Sequence, residues 1–324
     1  MIFRWGLDAL VPLLDELGIR RPLVVASERW SHIDVPRGRR FTGVERHAPA
    51  ATVATATAAA SDADGLVAIG GGSAIDTAKA VSAATGLPLV SVPTTYSGAE
   101  WTSSFGVRDE EARVKVGGVG ARPVGIVYEP ELTLGLPRDE TGGTAMNALA
   151  HCAEALYVAG RNDDACDHAL AGAERISSAL PAVLEDGEDC EARRRLLEGA
   201  MHGGAALAGA GVGLAHAVAQ ALGGRYGLPH GALNAVCLAP ALRFNLPVAK
   251  EEIGRLGVAM GTEDAIAQVE ALAEMAGYVR LRDLGVAADE LDDVARAAAQ
   301  RAGVRANPRA ASPDEIAELL RSVW

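Results

Sequence analysis

Aromatic residues are scarce, at 4% of 324 residues. A core so poor in rings is filled by aliphatic side chains, and the 49% hydrophobic content supplies them, with abundant Ala favouring closely packed helices. No stretch approaches eighteen uninterrupted apolar residues, so no membrane-spanning helix is expected. The opening MIFRWGLDALVPLL lacks the cleavage pattern of a signal peptide, and Asp8 interrupts its apolar run. Positive charge is also short: 30 Lys and Arg against 42 Asp and Glu leave a formal charge of −12. Such a surface repels phosphate backbones, which excludes nucleic acid as an expected partner. An anionic small molecule stays compatible, because a local basic pocket can override the overall field. The four cysteines, Cys152, Cys166, Cys190 and Cys237, show no C-x-x-C spacing and read as reduced, buried thiols of a cytoplasmic protein.

What is present falls into two halves. Leu7 to Leu17 carries apolar residues at helical spacing and stops at Gly18. Pro22 to Ala26 reads as a buried strand, Phe41 to His47 as a weaker one, and Ala50 to Ala60 as an Ala/Thr-rich helix. Gly65 to Gly86 reads as strand, glycine-rich turn and helix, followed by a strand over Pro88 to Thr95, a hairpin around Asp109 to Ala112, and a strand over Val124 to Pro130. Strands alternating with helices predict a mostly parallel sheet covered on both faces, a Rossmann-like α/β domain over residues 1–138. From there the pattern is helical only: Thr141 to Ala159, Ala165 to Leu184, Cys190 to Ala210, Leu214 to Leu222, His230 to Asn245 and three or more further helices predict an all-α domain over 139–324. Length agrees with about two domains.

Two constellations carry chemistry. Gly70, Gly71 and Gly72 follow the strand LVAI, with Ser73 at a predicted helix N-cap and Asp76 three residues on. Glycines admit a diphosphate close to the backbone, and a helix start binds its charge; the spacing is not G-x-G-x-x-G, and a tight strand-to-helix turn alone would also use these residues. The next strand ends in PTTYSG, whose hydroxyls, Thr94, Thr95, Tyr96 and Ser97, are placed to reach a ribose or a nicotinamide amide, or to make local turns.

The second constellation lies in the helical half. Asn147 and His151 are four apart and share a helix face, and His216 and His230 sit in similarly apolar settings. A lone histidine there is commonly a core residue, but three with an Asn one turn away fit two arrangements. Three imidazoles can hold Zn²⁺ or Fe²⁺ with an open position, although neutral Asn147 is a poor ligand for a dication. Alternatively, a metal-free site uses the histidines as proton donors and anchors for a carboxylate.

These segments resemble the iron-containing alcohol dehydrogenase superfamily and, within it, the maleylacetate reductase family. The resemblance is carried by GGGSAIDTAKA (Gly70 to Ala80), VPTTYSGAEWTSSFGV (Val92 to Val107), VYEPELTLGLP (Val127 to Pro137), MNALAHCAEALYV (Met146 to Val158), GGRYGLPHGALNAVCLAPALRFN (Gly223 to Asn245) and, more loosely, LRDLG and NPR near the end. It implies that Gly70, Gly71, Gly72 and Ser73 bind a pyrophosphate, that Thr94, Thr95 and Ser97 lie on the nicotinamide side, and that Asn147, His151, His216 and His230 occupy the four ligand positions of metal-dependent relatives. Three departures stand out. The chain reads as beginning after the family's first strand, Gln220 replaces a His common in relatives, and Val116 to Val119 follow Lys115 where an Arg is usual.

The resemblance implies a cytoplasmic, homodimeric oxidoreductase that transfers hydride from NADH or NADPH to the activated C=C bond of an anionic oxo-diacid, maleylacetate to 3-oxoadipate, in aromatic-compound catabolism. His151, His216 and His230 would stabilise the developing enolate, with Lys115 and Arg243 as candidate carboxylate anchors. An alternative is a metal-dependent alcohol dehydrogenase or aldehyde reductase, with Fe or Zn on the three histidines. A second is a non-catalytic nucleotide-binding homologue, which the Gln220 change would suit. Ser27, Glu28 and Arg29 after the first recognised strand leave NAD and NADP both open.

Overall fold

The computed structural model describes residues 1–109, 114–120 and 123–324. The chain forms two compact units, Met1–Thr95 with Ala99–Gly135, and Tyr96–Gly98 with Leu136–Trp324.

The first unit is built on β1 (Ile2–Trp5), α1 (Leu10–Glu16), β2 (Pro22–Ala26), β3 (Arg39–Phe41), α2 (Ala50–Ala59), β4 (Gly65–Gly70), α3 (Gly72–Thr85), β5 (Leu89–Pro93), β6 (Ser104–Asp109), β7 (Val114–Val119), β8 (Gly125–Tyr128) and the short α4 (Glu131–Leu134). Six strands form one sheet in the order β1-β8-β5-β4-β2-β3, every neighbouring pair parallel. The expectation of a missing first strand is overturned: Ile2–Trp5 precedes the first helix and pairs with Gly125–Tyr128. None of its four residues is buried and Phe3 is 45% exposed, so it lacked the continuous apolar signal of the inner strands.

The inner strands show why the sheet is covered twice. Alternate residues of a strand face opposite sides. Val24, Ala26, Val67, Ile69, Val90 and Val92 pack with Leu10, Leu13 and Leu14 of α1. Leu23, Val25, Leu66, Ala68 and Leu89 pack on the other face with Ala56 of α2 and Ile75, Ala78 and Val81 of α3. β6 and β7 make a separate antiparallel hairpin. The hairpin tip expected near Asp109 to Ala112 lies mostly outside the described residues.

The second unit is helical throughout the described residues: α5 (Arg138–Ala155), α6 (Asp163–Glu185), α7 (Cys190–Ala210), α8 (Leu214–Tyr226), α9 (His230–Asn245), α10 (Lys250–Ala259), α11 (Ala265–Met275), α12 (Leu291–Ala299), α13 (Ala302–Ala306) and α14 (Pro313–Ser322). Asn162 and Asp189 cap α6 and α7 through their side-chain oxygens. A Cβ at Gly203 of α7 would lie 2.8 Å from the carbonyl oxygen of Ala148, so this small residue lets α7 approach the helix that carries His151. Asn245 at the end of α9 and Asn307 exchange two buried amide hydrogen bonds of 2.9 and 2.7 Å. Cys152, Cys166 and Cys237 are buried as expected; Cys190, at the first turn of α7, is exposed. No single helix among the described residues is long and apolar enough to cross a membrane.

Candidate functional site

In the first unit the glycine turn sits at the carboxyl end of a central strand. From β2 the chain steps outward to β3, then returns to β4 on the other side of β2 and proceeds to β5. Connections therefore diverge between β2 and β4, the topological switch point where open α/β sheets bind ligands. Gly70 closes β4 with φ +148°, and a Cβ there would lie 2.8 Å from Cβ of Ala74. A Cβ on Gly71 would lie 2.7 Å from Thr95 Cγ2. Both glycines are thus demanded by the turn itself. Helix α3 starts two residues earlier than the capping pattern predicts: Gly71, not Ser73, is the N-cap and makes no side-chain cap. Ser73 Oγ instead accepts from the His47 N–H at 3.0 Å, and Asp76 Oδ2 accepts from the Gly106 N–H at 3.1 Å and lies within an ion-pair distance of 3.9 Å of Lys79. The expected capping box is absent because both side chains are spent on neighbouring loops. The first-turn N–H groups, which no helix can satisfy internally, remain suited to an anion.

The adjacent strand β5 brings Thr94 beside this turn, its N–H donating to Gly70 O at 3.1 Å. Thr95 Oγ1 is buried with no hydrogen-bond partner, a position that fits a polar ligand group. Tyr96 departs from the expectation. It belongs to the second unit, is fully buried, and its hydroxyl accepts from Arg193 Nη1 at 3.3 Å. Ser97 belongs there as well, its carbonyl accepting from Asn147 Nδ2 at 3.1 Å. After β2, Glu28 is exposed, while the Arg29 guanidinium bonds the Gly135 carbonyl and lies 5.0 Å from the Trp30 ring centroid.

In the second unit the structure brings Asn147, His151, His216 and His230 together. The rings of His151 and His216 are 4.6 Å apart at 14°, and those of His216 and His230 are 5.6 Å apart at 54°. Close helix packing sets this up. A Cβ on Gly231, at the start of α9, would lie 2.5 Å from the Gly143 carbonyl group of α5. One turn further along, Asn234 Nδ2 donates to Asn147 Oδ1 at 2.7 Å and to His230 Nε2 at 3.0 Å. Asn147 is thereby fixed by a donor on one side and the Ser97 carbonyl on the other.

Glu154, unremarked in the sequence, organises the rest. It lies three residues after His151 and is completely buried. Its carboxylate accepts from the Gly213 and Ala215 N–H groups at 2.8 and 2.7 Å, capping α8, and from His216 Nδ1 at 2.6 Å. That bond places the proton on Nδ1 and leaves Nε2 to face a ligand. His151 Nδ1, His216 Nε2 and Asn234 Oδ1 are buried and unpartnered. Each such atom costs about 1–3 kcal/mol unless satisfied, so three in one cluster mark a polar ligand site. Burial, reinforced by His216 and His230, holds the His151 imidazole well below its ordinary range and keeps it neutral. The sequence signal for Glu154 and Asn234 was an isolated polar residue three or four places beyond a flagged histidine, on the same helix face.

The donor set does not fit a resident divalent ion. Three imidazole ligands must aim their in-plane lone pairs at one point. The nearly parallel stack of His151 and His216 aims them side by side, and Asn147 Oδ1 already accepts from Asn234. Among the described residues no group of three or more His, Cys, Asp or Glu is placed to hold a metal. Arg243 is also corrected. It pairs with Glu270 and lies thirteen residues along α9 from His230, roughly 20 Å at the helical rise, beside a surface groove lined by Phe244 and Arg309. Gln220 stands one turn beyond His216, its Oε1 accepting from Arg301 Nη1 at 3.3 Å. The side chain of Lys115 lies outside the described residues.

Comparison with known proteins follows this architecture. Residues 2–130 match the model of iron-containing alcohol dehydrogenases, and residues 141–324 match the C-terminal model of the Fe-containing alcohol dehydrogenase family. The chain is 35% identical to a maleylacetate reductase of Pseudomonas knackmussii over 340 residues, covering 99% of this chain and 94% of the relative. It is 36% identical to one of Burkholderia cepacia, covering 98% and 93%. The solved structure of maleylacetate reductase from a Rhizobium strain is similar with a TM-score of 0.91 at 29% identity, covering 100% of this chain and 95% of that one. With a parallel-sheet unit, a helical unit and full-length similarity of this kind, the chain belongs to the iron-containing alcohol dehydrogenase family.

Proposed function

We propose that this chain is a maleylacetate reductase-like, NAD(P)H-dependent oxidoreductase that reduces the activated C=C bond of an unsaturated oxo-dicarboxylate. The observation that carries the reading is the cluster of buried His151 and His216 with half-buried His230 beside Asn147, where the amide oxygen is already bonded and the His151 and His216 rings stack. It is supported by the relatives of that name, which match almost the whole chain. The turn at Gly70, Gly71, Gly72 and Ser73 would hold the dinucleotide diphosphate, with Thr94, Thr95 and Ser97 contributing hydroxyls toward its ribose and nicotinamide end.

A nicotinamide dinucleotide held by these residues would supply a hydride for the alkene carbon remote from the ketone. The protein then handles the charge pushed onto the ketone oxygen. Neutral His151 donates a hydrogen bond from its ring N–H, and the Asn147–Asn234 pair holds His230 beside it. His216, its Nδ1 proton fixed by Glu154, presents Nε2 as an acceptor that would hold a water molecule, and that water supplies the proton taken up by the second alkene carbon. Hydride and proton together saturate the double bond and leave the ketone intact.

The test is consumption of NADH and of NADPH with maleylacetate, before and after dialysis against a chelator. Turnover that survives chelation supports the reading. A rate lost with the metal and restored by Zn²⁺ or Fe²⁺ would favour an alcohol dehydrogenase, and no turnover across unsaturated oxo-acids and aldehydes would favour a binding protein. The homodimer that the family resemblance implies is checked by light scattering on the same preparation.

A further inference from the structure

Among the described residues, Arg301 is a cation of the second unit that packs beside α8 without a counter-ion. It is the N-cap residue of α13, and α13 lies against α8: a Cβ on Gly303 would stand 2.3 Å from the Gly213 carbonyl oxygen and 3.2 Å from Cβ of Ala217. This contact directs the guanidinium along α8. Its one described partner is neutral, Gln220 Oε1 at 3.3 Å from Nη1. Its Nε is buried with no acceptor. Among the described residues no carboxylate lies within ion-pairing distance of it, whereas Arg225, Arg243, Arg309 and Arg321 of the same unit are all paired. Desolvation lowers its affinity for its own proton, with nothing opposing it.

A half-buried guanidinium is expensive without an anion, because it loses water and gains no charge in return. Its location says which anion. Gln220 follows His216 by four residues, so the two side chains share one face of α8, about 6 Å apart along the axis. The unpartnered Nε2 of His216 is therefore one helical turn from the residue that orients Arg301. Glu154 of α5, the buried carboxylate that meets this helix, is spent on His216 Nδ1 and the α8 N-terminus.

We propose that Arg301, oriented by Gln220, anchors one carboxylate of the substrate and so selects dicarboxylates over monocarboxylates. The proposal rests on the reductase reading above and deepens it. The guanidinium fork offers paired N–H donors to a carboxylate, and Gln220 holds the fork's outer edge without neutralising it. A neutral Gln, unlike a histidine at the same place, never competes for the charge. In a chain of net charge −12, an uncompensated cation at this depth also draws a dianion to the one position where it reacts.

The experiment measures KM and kcat of the full-length protein and of R301Q and R301K with maleylacetate. In parallel, calorimetric titration of each protein follows 3-oxoadipate and the monocarboxylate levulinate. R301Q should raise KM and weaken 3-oxoadipate binding by roughly 10- to 150-fold, the range for a hydrogen bond to a charged group. The loss should be much smaller for levulinate, and R301K should lie between. Thermal melting supplies a second readout: removing an unpaired, desolvated cation should leave the Tm of R301Q equal or higher, whereas a merely structural arginine would lower it. Equal losses for both ligands, or no loss, overturn the proposal. If the wild type fails to reduce maleylacetate, the reductase reading falls, and the titrations still decide Arg301: weak or Arg301-independent binding of the dicarboxylate overturns it.

Discussion

Oε2 of Glu154 lies 2.6 Å from Nδ1 of His216, with both side chains essentially sealed from solvent. The same carboxylate takes two backbone N–H groups from the start of α8, so one residue fixes a helix terminus and an imidazole together. Glu154→Gln keeps the shape but turns an acceptor edge into a donor facing other donors. The expected outcome is a stability loss of about 1.5–3 kcal/mol in urea unfolding and a fall in kcat of about 100-fold or more. Combining it with His216→Gln should cost far less than the sum of the two, because both act through one hydrogen bond.

The turn at the end of β4 makes a separate prediction. Gly70 has φ +148° and no room for a Cβ against Ala74. Gly70→Ala should lower stability by about 1–3 kcal/mol and weaken NADH binding, read by fluorescence titration. The histidine cluster is untouched by this change, so a substrate analogue should bind the variant as it binds the wild type.

The Asn147–Asn234 bridge spans two helices and connects the Ser97 carbonyl to His230. Asn147→Leu removes the middle of that chain and strands the Ser97 carbonyl. A loss of about 1–3 kcal/mol is expected, with a fall in kcat larger than any rise in KM, measured on purified protein after chelation. Retained full activity would detach this amide from the chemistry.

Acid sensitivity should be traceable to a pair outside the site. His168 Nδ1 and His202 Nδ1 are 2.8 Å apart between α6 and α7. Burial, with His168 and then Arg175, pulls His202 from 6.5 down to about 4. The unfolded chain therefore binds a proton that the folded chain refuses, so this contribution to stability is present above pH 6.5 and is lost as the pH falls toward 4. His202→Gln should flatten the stability curve across that interval in urea melts at stepped pH. An unchanged slope would assign the acid lability to other groups such as His151.

The parallel sheet could be read in advance because β2, β4 and β5 are buried on both faces and therefore read as unbroken apolar runs. β1 could not, since Phe3 and Arg4 are both exposed at a sheet edge and only its pairing with β8 makes it a strand. Histidines flagged by their apolar surroundings converge as expected, because helix periodicity carries that information. The residues that hold them, Glu154 and Asn234, are fixed by contacts across 62 and 87 positions of sequence, which no local spacing encodes. Ser73 and Asp76 looked like a helix cap, and tertiary partners claimed both.

The pairing of β1 with β8 has a consequence for how the first unit assembles. Residues 2–5 must wait for residues 125–128 before their strand has a neighbour, so one border of the sheet is closed by a contact spanning over 120 positions. Long-range closures of this kind slow folding. During synthesis the ribbon that carries Phe3 would stay unzipped until residues 125–128 have emerged, so this border of the sheet is closed last.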